Sequence, residues 1–178
     1  MSTSTKNKNS NDFIEVFITN DMIKEAEERN MAFFKKYGNS GTNRIDKKNQ
    51  RITGYLAEVA IKHTFQKLIY SEDDSVDFLS RSKKITFDSK AQGCNSKPKL
   101  DYVGTLYESQ KNRKFDMLIF SRVKNTHDIV WITGIISKND FLKKSKLIPK
   151  GTKNNNFTYD ESRYEIEYGE LYNPKLLL

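Results

Sequence analysis

The sequence predicts an α/β fold: a single domain with a central mixed β-sheet flanked by helices. Three observations predict it. Helical spacing of apolar residues runs through 21–37 and 52–69, and period-two alternation marks 13–18, 84–92 and 163–171. Two near-continuous apolar runs, 116–123 and 129–136, have the character of strands covered on both faces. At 178 residues the chain is long enough for one core and short for two.

Residues 1–11 are small, polar and lysine-bearing, and are expected to be a disordered tail ahead of a domain spanning 12–178. Alternation over 13–18 predicts a first strand. Thr19 or Asn20 then caps a helix over 21–37, closed by Gly38, with Glu25, Glu27 and Glu28 early and Lys35 and Lys36 late, as the helix dipole favours. The stretch 38–51 is expected to be a flexible basic loop. Residues 52–69 form an amphipathic helix through Ile52, Tyr55, Leu56, Val59, Ala60, Phe65 and Leu68. An acidic turn at 71–75 leads to a short strand, 76–79. After the alternating strand 84–92 comes a turn-rich loop, 93–99. The apolar runs 116–123 and 129–136 are joined as a hairpin, with Trp131 in the core. A short capped helix over 137–147 and an edge strand over 163–171 complete the chain, which has no internal repeat.

The chemistry centres on Asp88-Ser89-Lys90. On a strand, residues i and i+2 share a face, so Thr86, Asp88, Lys90 and Gln92 line one side and Ile85, Phe87, Ser89 and Ala91 the other. A carboxylate beside an ammonium can hold a divalent cation and stabilise the hydroxide that attacks a phosphodiester. The plain alternative is a strand-surface ion pair. Asp46-Lys47-Lys48 has the same spacing without the alternation, and reads as solvated loop.

Two upstream acids strengthen the functional reading. Glu58 lies inside the apolar pattern of the 52–69 helix, where burial demands a partner such as a metal or Lys90. Gly54, one turn earlier, permits close approach of a strand or phosphate. Asp77 sits in the apolar strand 76–79 and is the second candidate ligand. Against these stand an i,i+4 pair of Glu58 with Lys62 and a turn-side role for Asp77.

Gly54-Tyr55-Leu56-Ala57-Glu58, Val76-Asp77-Phe78 and Asp88-Ser89-Lys90 together resemble the three motif elements of the PD-(D/E)XK nuclease superfamily, with Val76 where that family often has proline. The resemblance covers residues 54–92 and implies a restriction-endonuclease-like core. It implies that Glu58, Asp77 and Asp88 bind Mg²⁺, for which Mn²⁺ can substitute, and that Lys90 positions or activates the attacking water. The backbone carbonyl between Asp88 and Lys90 would supply a further ligand. Some members of the superfamily use a nearby glutamine, which makes Gln110, with Tyr102 and Tyr107, a candidate DNA contact. The implied activity is metal-dependent hydrolysis of DNA, endonucleolytic rather than exonucleolytic. A non-catalytic DNA-binding or structural protein on the same fold is the alternative.

Charge agrees with a nucleic-acid partner. Lys and Arg number 31 against 23 Asp and Glu, a net charge of +8. Arg44, Lys47, Lys48 and Arg51 in the 38–51 loop, and Lys97 and Lys99 in the 93–99 loop, are candidate phosphate contacts. A homodimer would let two sites address two strands. One cysteine, Cys94, excludes an internal disulfide and a cysteine-rich zinc site; His63 and His127 form no zinc motif, and no phosphate-cradling glycine loop is present. With no membrane-span-length apolar run and no apolar N-terminal segment, the chain is expected to be cytoplasmic.

Overall fold

The computed structural model describes residues 13–37, 45–73, 75–154 and 157–178. The expected tail over 1–11 and residues 38–44 of the expected loop, Arg44 among them, lie outside these. So do the side chains of 45–50, including Lys47 and Lys48.

In chain order the elements are β1 (Ile14–Phe17), α1 (Asn20–Tyr37), α2 (Ile45–Thr64), β2 (Leu68–Tyr70), β3 (Phe78–Ser80), β4 (Thr86–Cys94) and β5 (Val103–Tyr107). A 3₁₀ turn (Glu108–Gln110) precedes β6 (Met117–Lys124), β7 (Ile129–Ser137), α3 (Lys138–Lys144), β8 (Lys146–Ile148), β9 (Lys153–Asn154), β10 (Phe157–Thr158) and β11 (Arg163–Glu167). Two further 3₁₀ turns, Tyr168–Glu170 and Pro174–Leu177, end the chain. Six strands make a curled mixed sheet in the order β1-β7-β6-β4-β3-β2, in which β4 and β6 are parallel and every other pair antiparallel. A second, antiparallel sheet has the order β5-β11-β8, and β9 pairs with β10. The class is therefore α/β, as expected.

Helices cover one face of the large sheet. Met22, Ala26 and Asn30 recur on one stripe of α1, whose first turn is tied by Thr19 Oγ1, which accepts from the Met22 amide at 3.3 Å. Met22 and Ala26 pack with Leu56, Ala57, Val59 and Ala60 of α2 over Val123 and Val130. Further along, Ile61 and Phe65 meet Phe78, Phe87, Ile119 and Ile132. The other face is covered by the small sheet and α3: Leu118, Phe120 and Ile136 bury against Leu106, Phe141, Ile166 and Tyr168. Burial on both sides explains the continuous apolar runs of β6 and β7. Trp131 is buried as expected, its indole N–H donating to Glu15 at 2.7 Å.

Five expectations need correction. The helix expected over 137–147 is capped by Ser137 but ends at Lys144, and Lys146–Ile148 is strand β8, drawn out by pairing with β11. Helix α2 starts at Ile45 instead of 52, because 45–53 has neither Pro nor Gly and its Lys, Gln and Arg are good helix formers despite lacking an apolar stripe. It ends at Thr64 instead of 69. Thr64 Oγ donates to the Ala60 carbonyl at 2.8 Å, the chain turns through the Phe65–Leu68 hydrogen bond, and Leu68 is buried from strand β2. Strand β11 is central in the small sheet, not an edge, because β5, which alternation did not reveal, pairs on one side of it and β8 on the other. The cause is Gly104 in mid-β5: a Cβ there would stand 2.6 Å from the Phe120 ring, so only glycine lets the two sheets approach. Gly54 has no such duty, since a Cβ there would meet open space.

No helix among the described residues is long and apolar enough to cross a membrane.

Candidate functional site

Strand β4 positions the central pair. Asp88 and Lys90 lie level with Leu118 and Phe120 of β6, both part of the core beneath the small sheet, while Phe87 and Ala91 pack toward the helices. Alternation thus sends Asp88 and Lys90 to the small-sheet side, the separation of faces expected from sequence. Gln92, two residues on, confirms the direction by donating to Thr105 of β5 at 3.3 Å.

Asp88 is 2% exposed. Lys90 Nζ stands 2.6 Å from its Oδ2, but off the direction of a hydrogen bond, so this oxygen is buried with ion pairing alone. A buried ion pair needs such closeness to offset desolvation. The plain reading of an exposed surface pair is excluded.

Asp77 sits just ahead of β3, where the sheet opens. The β3–β4 ladder comprises Phe78↔Phe87 and Leu79↔Thr86. Beyond it β4 runs without a β3 neighbour, and the Asp77 side chain fills the gap, its Oδ2 accepting from the Ser89 amide at 2.6 Å. The Asp77 amide donates to the Phe87 carbonyl at 3.0 Å. Asp77 is thereby tied to the β4 backbone on both sides of Asp88, at Phe87 and Ser89, which goes beyond a turn-side acid. Burial and the Asp88 charge push its pKa up to about 6, against the pull of the Ser89 amide and Lys90.

Glu58 approaches from the helix side. Its partner is neither Lys90 nor Lys62 but Arg29 of α1, whose Nη2 donates to Glu58 Oε2 at 2.6 Å. The Arg29 guanidinium lies over the Tyr70 ring, 3.8 Å from its centroid, with Tyr55 at 5.6 Å. Burial, then the charge of Asp77, raise the Glu58 carboxyl to about 8 against the pull of Arg29, and Asp88 adds a further push. The three acids therefore share one electrostatic neighbourhood, reached from both faces of the sheet at its open edge.

Arg29 is the residue that sequence reasoning missed. Its signal lay in position: it directly precedes Asn30 and sits three after Ala26, so it flanks the buried stripe of α1, where a charge needs a partner on the facing helix. Nearby, Glu25 of α1 accepts from Tyr70 at 2.8 Å and bonds His63 of α2 at 3.0 Å, which makes His63 an interhelical tie.

The other candidates scatter. Arg51 packs its guanidinium over Phe33 and Phe34, at 5.1 and 4.9 Å. Lys97 and Lys99 are exposed on the loop between β4 and β5. Gln110, on the 3₁₀ turn after β5, lines a cavity together with Lys90. The structure brings Glu58, Asp77, Asp88, Lys90 and Gln110 to one region and leaves Lys97 and Lys99 on a separate loop.

As a cation site, the donor chemistry suits a hard ion: carboxylate oxygens, two of them with raised pKa, and one buried oxygen with no hydrogen bond. Among the described residues no three His, Cys, Asp or Glu side chains stand close enough to enclose a single ion. Glu58 is turned to Arg29, Asp77 to the Ser89 amide and Asp88 to Lys90. No protein-family model matches this chain, and no curated protein sequence is significantly similar to it.

Proposed function

We propose that this chain is a metal-dependent deoxyribonuclease with a restriction-endonuclease-like core, hydrolysing DNA phosphodiester bonds and cutting internally. The observation that carries this reading is the buried Asp88–Lys90 pair on β4, just past the end of its β3 ladder, where Asp77 and Glu58 add two further acids of raised pKa. Buried acids with pKa values shifted by burial and by one another cluster at functional sites. The net charge of +8 supports a phosphate-rich substrate.

Asp77, Asp88 and Glu58 are the residues that would hold Mg²⁺ or Mn²⁺. A bound cation supplies neutralisation of the charge that develops on the phosphate. Lys90 donates to the attacking water and stabilises its hydroxide form, its ammonium held in place by Asp88. Asp77, clamped on the Ser89 amide, fixes the distance between β3 and β4 on which the acid cluster depends. Arg29 orients the Glu58 carboxyl and pulls its pKa down against the burial and the Asp77 charge that raise it. Two copies acting together would address both strands of a duplex.

A second reading, a non-catalytic DNA-binding protein on this fold, draws on the Arg29–Glu58 pair, which occupies one of the three acids with a protein cation. Cleavage assays separate the two. Purified protein is incubated with linear, circular and branched DNA in Mg²⁺, Mn²⁺, Ca²⁺ or EDTA. Cutting is expected with Mg²⁺ or Mn²⁺ only, and is expected to vanish in folded Asp88→Asn and Lys90→Ala. Cutting by Lys90→Ala at the wild-type single-turnover rate would remove the lysine from the mechanism, and no cutting under any condition would favour the second reading.

A further inference from the structure

Lys90 does not face open solvent. It forms one wall of a cavity of about 130 Å³ together with Gln110, Phe120, Ser121 and Tyr168. This cavity adjoins a wider cleft of about 620 Å³, with Ala91, Gln92 and Tyr107 common to both; Thr53, Asn125 and His127 line the outer part.

The chemistry of these walls is that of a base site. Gln110 Oε1 and Ser121 Oγ are buried with no hydrogen-bond partner, and polar atoms left in that state favour a ligand that completes them. Phe120 and Tyr168 line the inner wall as packed core aromatics, and Tyr107, 39% exposed between the two spaces, is the aromatic face a base can reach. Among the described residues that line them, Lys90 is the one Lys or Arg; the rest of the polar lining is hydroxyl, amide and imidazole. The inner volume suits a ring-sized group, since a cavity of about 150 Å³ takes benzene. A base inside a continuous duplex would have to unstack and flip out to enter such a recess, a cost that an unpaired base does not bear.

We propose that the inner cavity seats one unpaired nucleobase beside the phosphate at Asp88 and Lys90, with the adjoining unpaired nucleotide in the outer cleft. The substrate is accordingly a single strand, or a duplex with unpaired nucleotides at the cut, and not a continuous duplex. This rests on the nuclease reading above, whose substrate it specifies.

The test measures fluorescence anisotropy in EDTA, with a labelled single-stranded oligonucleotide and the blunt duplex of the same sequence. The single strand is expected to bind roughly tenfold more tightly or better, the size of one base–aromatic stack. Tyr107→Ala and Gln110→Ala, each checked for a wild-type melting curve, are expected to lose most of that preference while duplex affinity stays the same. An oligonucleotide carrying 2-aminopurine should change its emission on binding wild type and less on binding Gln110→Ala. Equal affinity for both DNAs, or a preference untouched in both variants, overturns the base site; if Mg²⁺-dependent cutting persists, the nuclease reading stands without it. Absence of binding to either DNA, in EDTA and with Ca²⁺ in its place, overturns both.

Discussion

Two lysine–aspartate pairs of nearly equal length sit in this molecule under opposite conditions. Lys90 and Asp88 approach to 2.6 Å inside the protein, two residues apart on a central strand. Lys124 and Asp128 approach to 2.8 Å on an exposed turn, four residues apart, where Asp128 also accepts from Thr126. In water the second pair exchanges one set of solvated contacts for another and is worth little. The first has lost its solvent, so each member depends on the other, and removing one leaves a buried charge. Distance does not distinguish the pairs; the sheet around them does.

The largest expected effect comes from breaking the buried pair. Lys90→Met strands Asp88 and should cost about 3–5 kcal/mol, a fall in melting temperature of roughly 10 °C for a chain of this size. Thermal denaturation followed by circular dichroism measures it. The double variant Asp88→Asn/Lys90→Met should recover most of the loss, since it leaves no charge buried. A double variant no more stable than Lys90→Met would mean that packing, not charge, dominates at this position.

A smaller effect is expected from the acids beside the pair. Glu58 moves from 4.5 to about 8 on folding and Asp77 from 3.8 to about 6, so the folded state holds protons that the unfolded state has released. The stability associated with those protons is fully present below about pH 4 and is lost as pH rises through 6 and 8. Through these two groups, metal-free protein should therefore melt several degrees lower at pH 8 than at pH 5. Glu58→Gln should flatten the upper part of that slope and leave the lower part. Mg²⁺ or Mn²⁺ should raise the melting point at pH 8, and raise it less in Glu58→Gln, Asp77→Asn and Asp88→Asn. A metal response identical in all four proteins would separate the acids from cation binding.

The smallest effect is expected at the exposed pair. Lys124→Ala should leave the melting temperature within experimental scatter at low and at high salt. A loss comparable to that of Lys90→Met would contradict the distinction drawn between the two pairs.

Some of this was legible in the chain and some was not. Local periodicity is a property of neighbours in sequence, and it determined the strand at Asp88, the opposed faces of Asp88 and Phe87, the buried hairpin of β6 and β7, and the cap at the start of α1. The acids were visible for the same reason: Glu58 interrupts an apolar helical stripe, and Asp77 an apolar strand. Tertiary packing decided the partners. Arg29 reaches Glu58 across 29 residues of sequence because α1 and α2 pack side by side, and no local pattern records which cation a buried acid will meet. Strand β5 was hidden because Gly104, which breaks its alternation, is required by a contact with Phe120 on another sheet. Gln110 joins Lys90 around one cavity only when that small sheet closes over β4 and β6. The sequence alone determined which residues are charged, which are apolar and which face each takes on its own element. What those faces meet depends on contacts between distant segments, whose free energy arises only when the whole core forms.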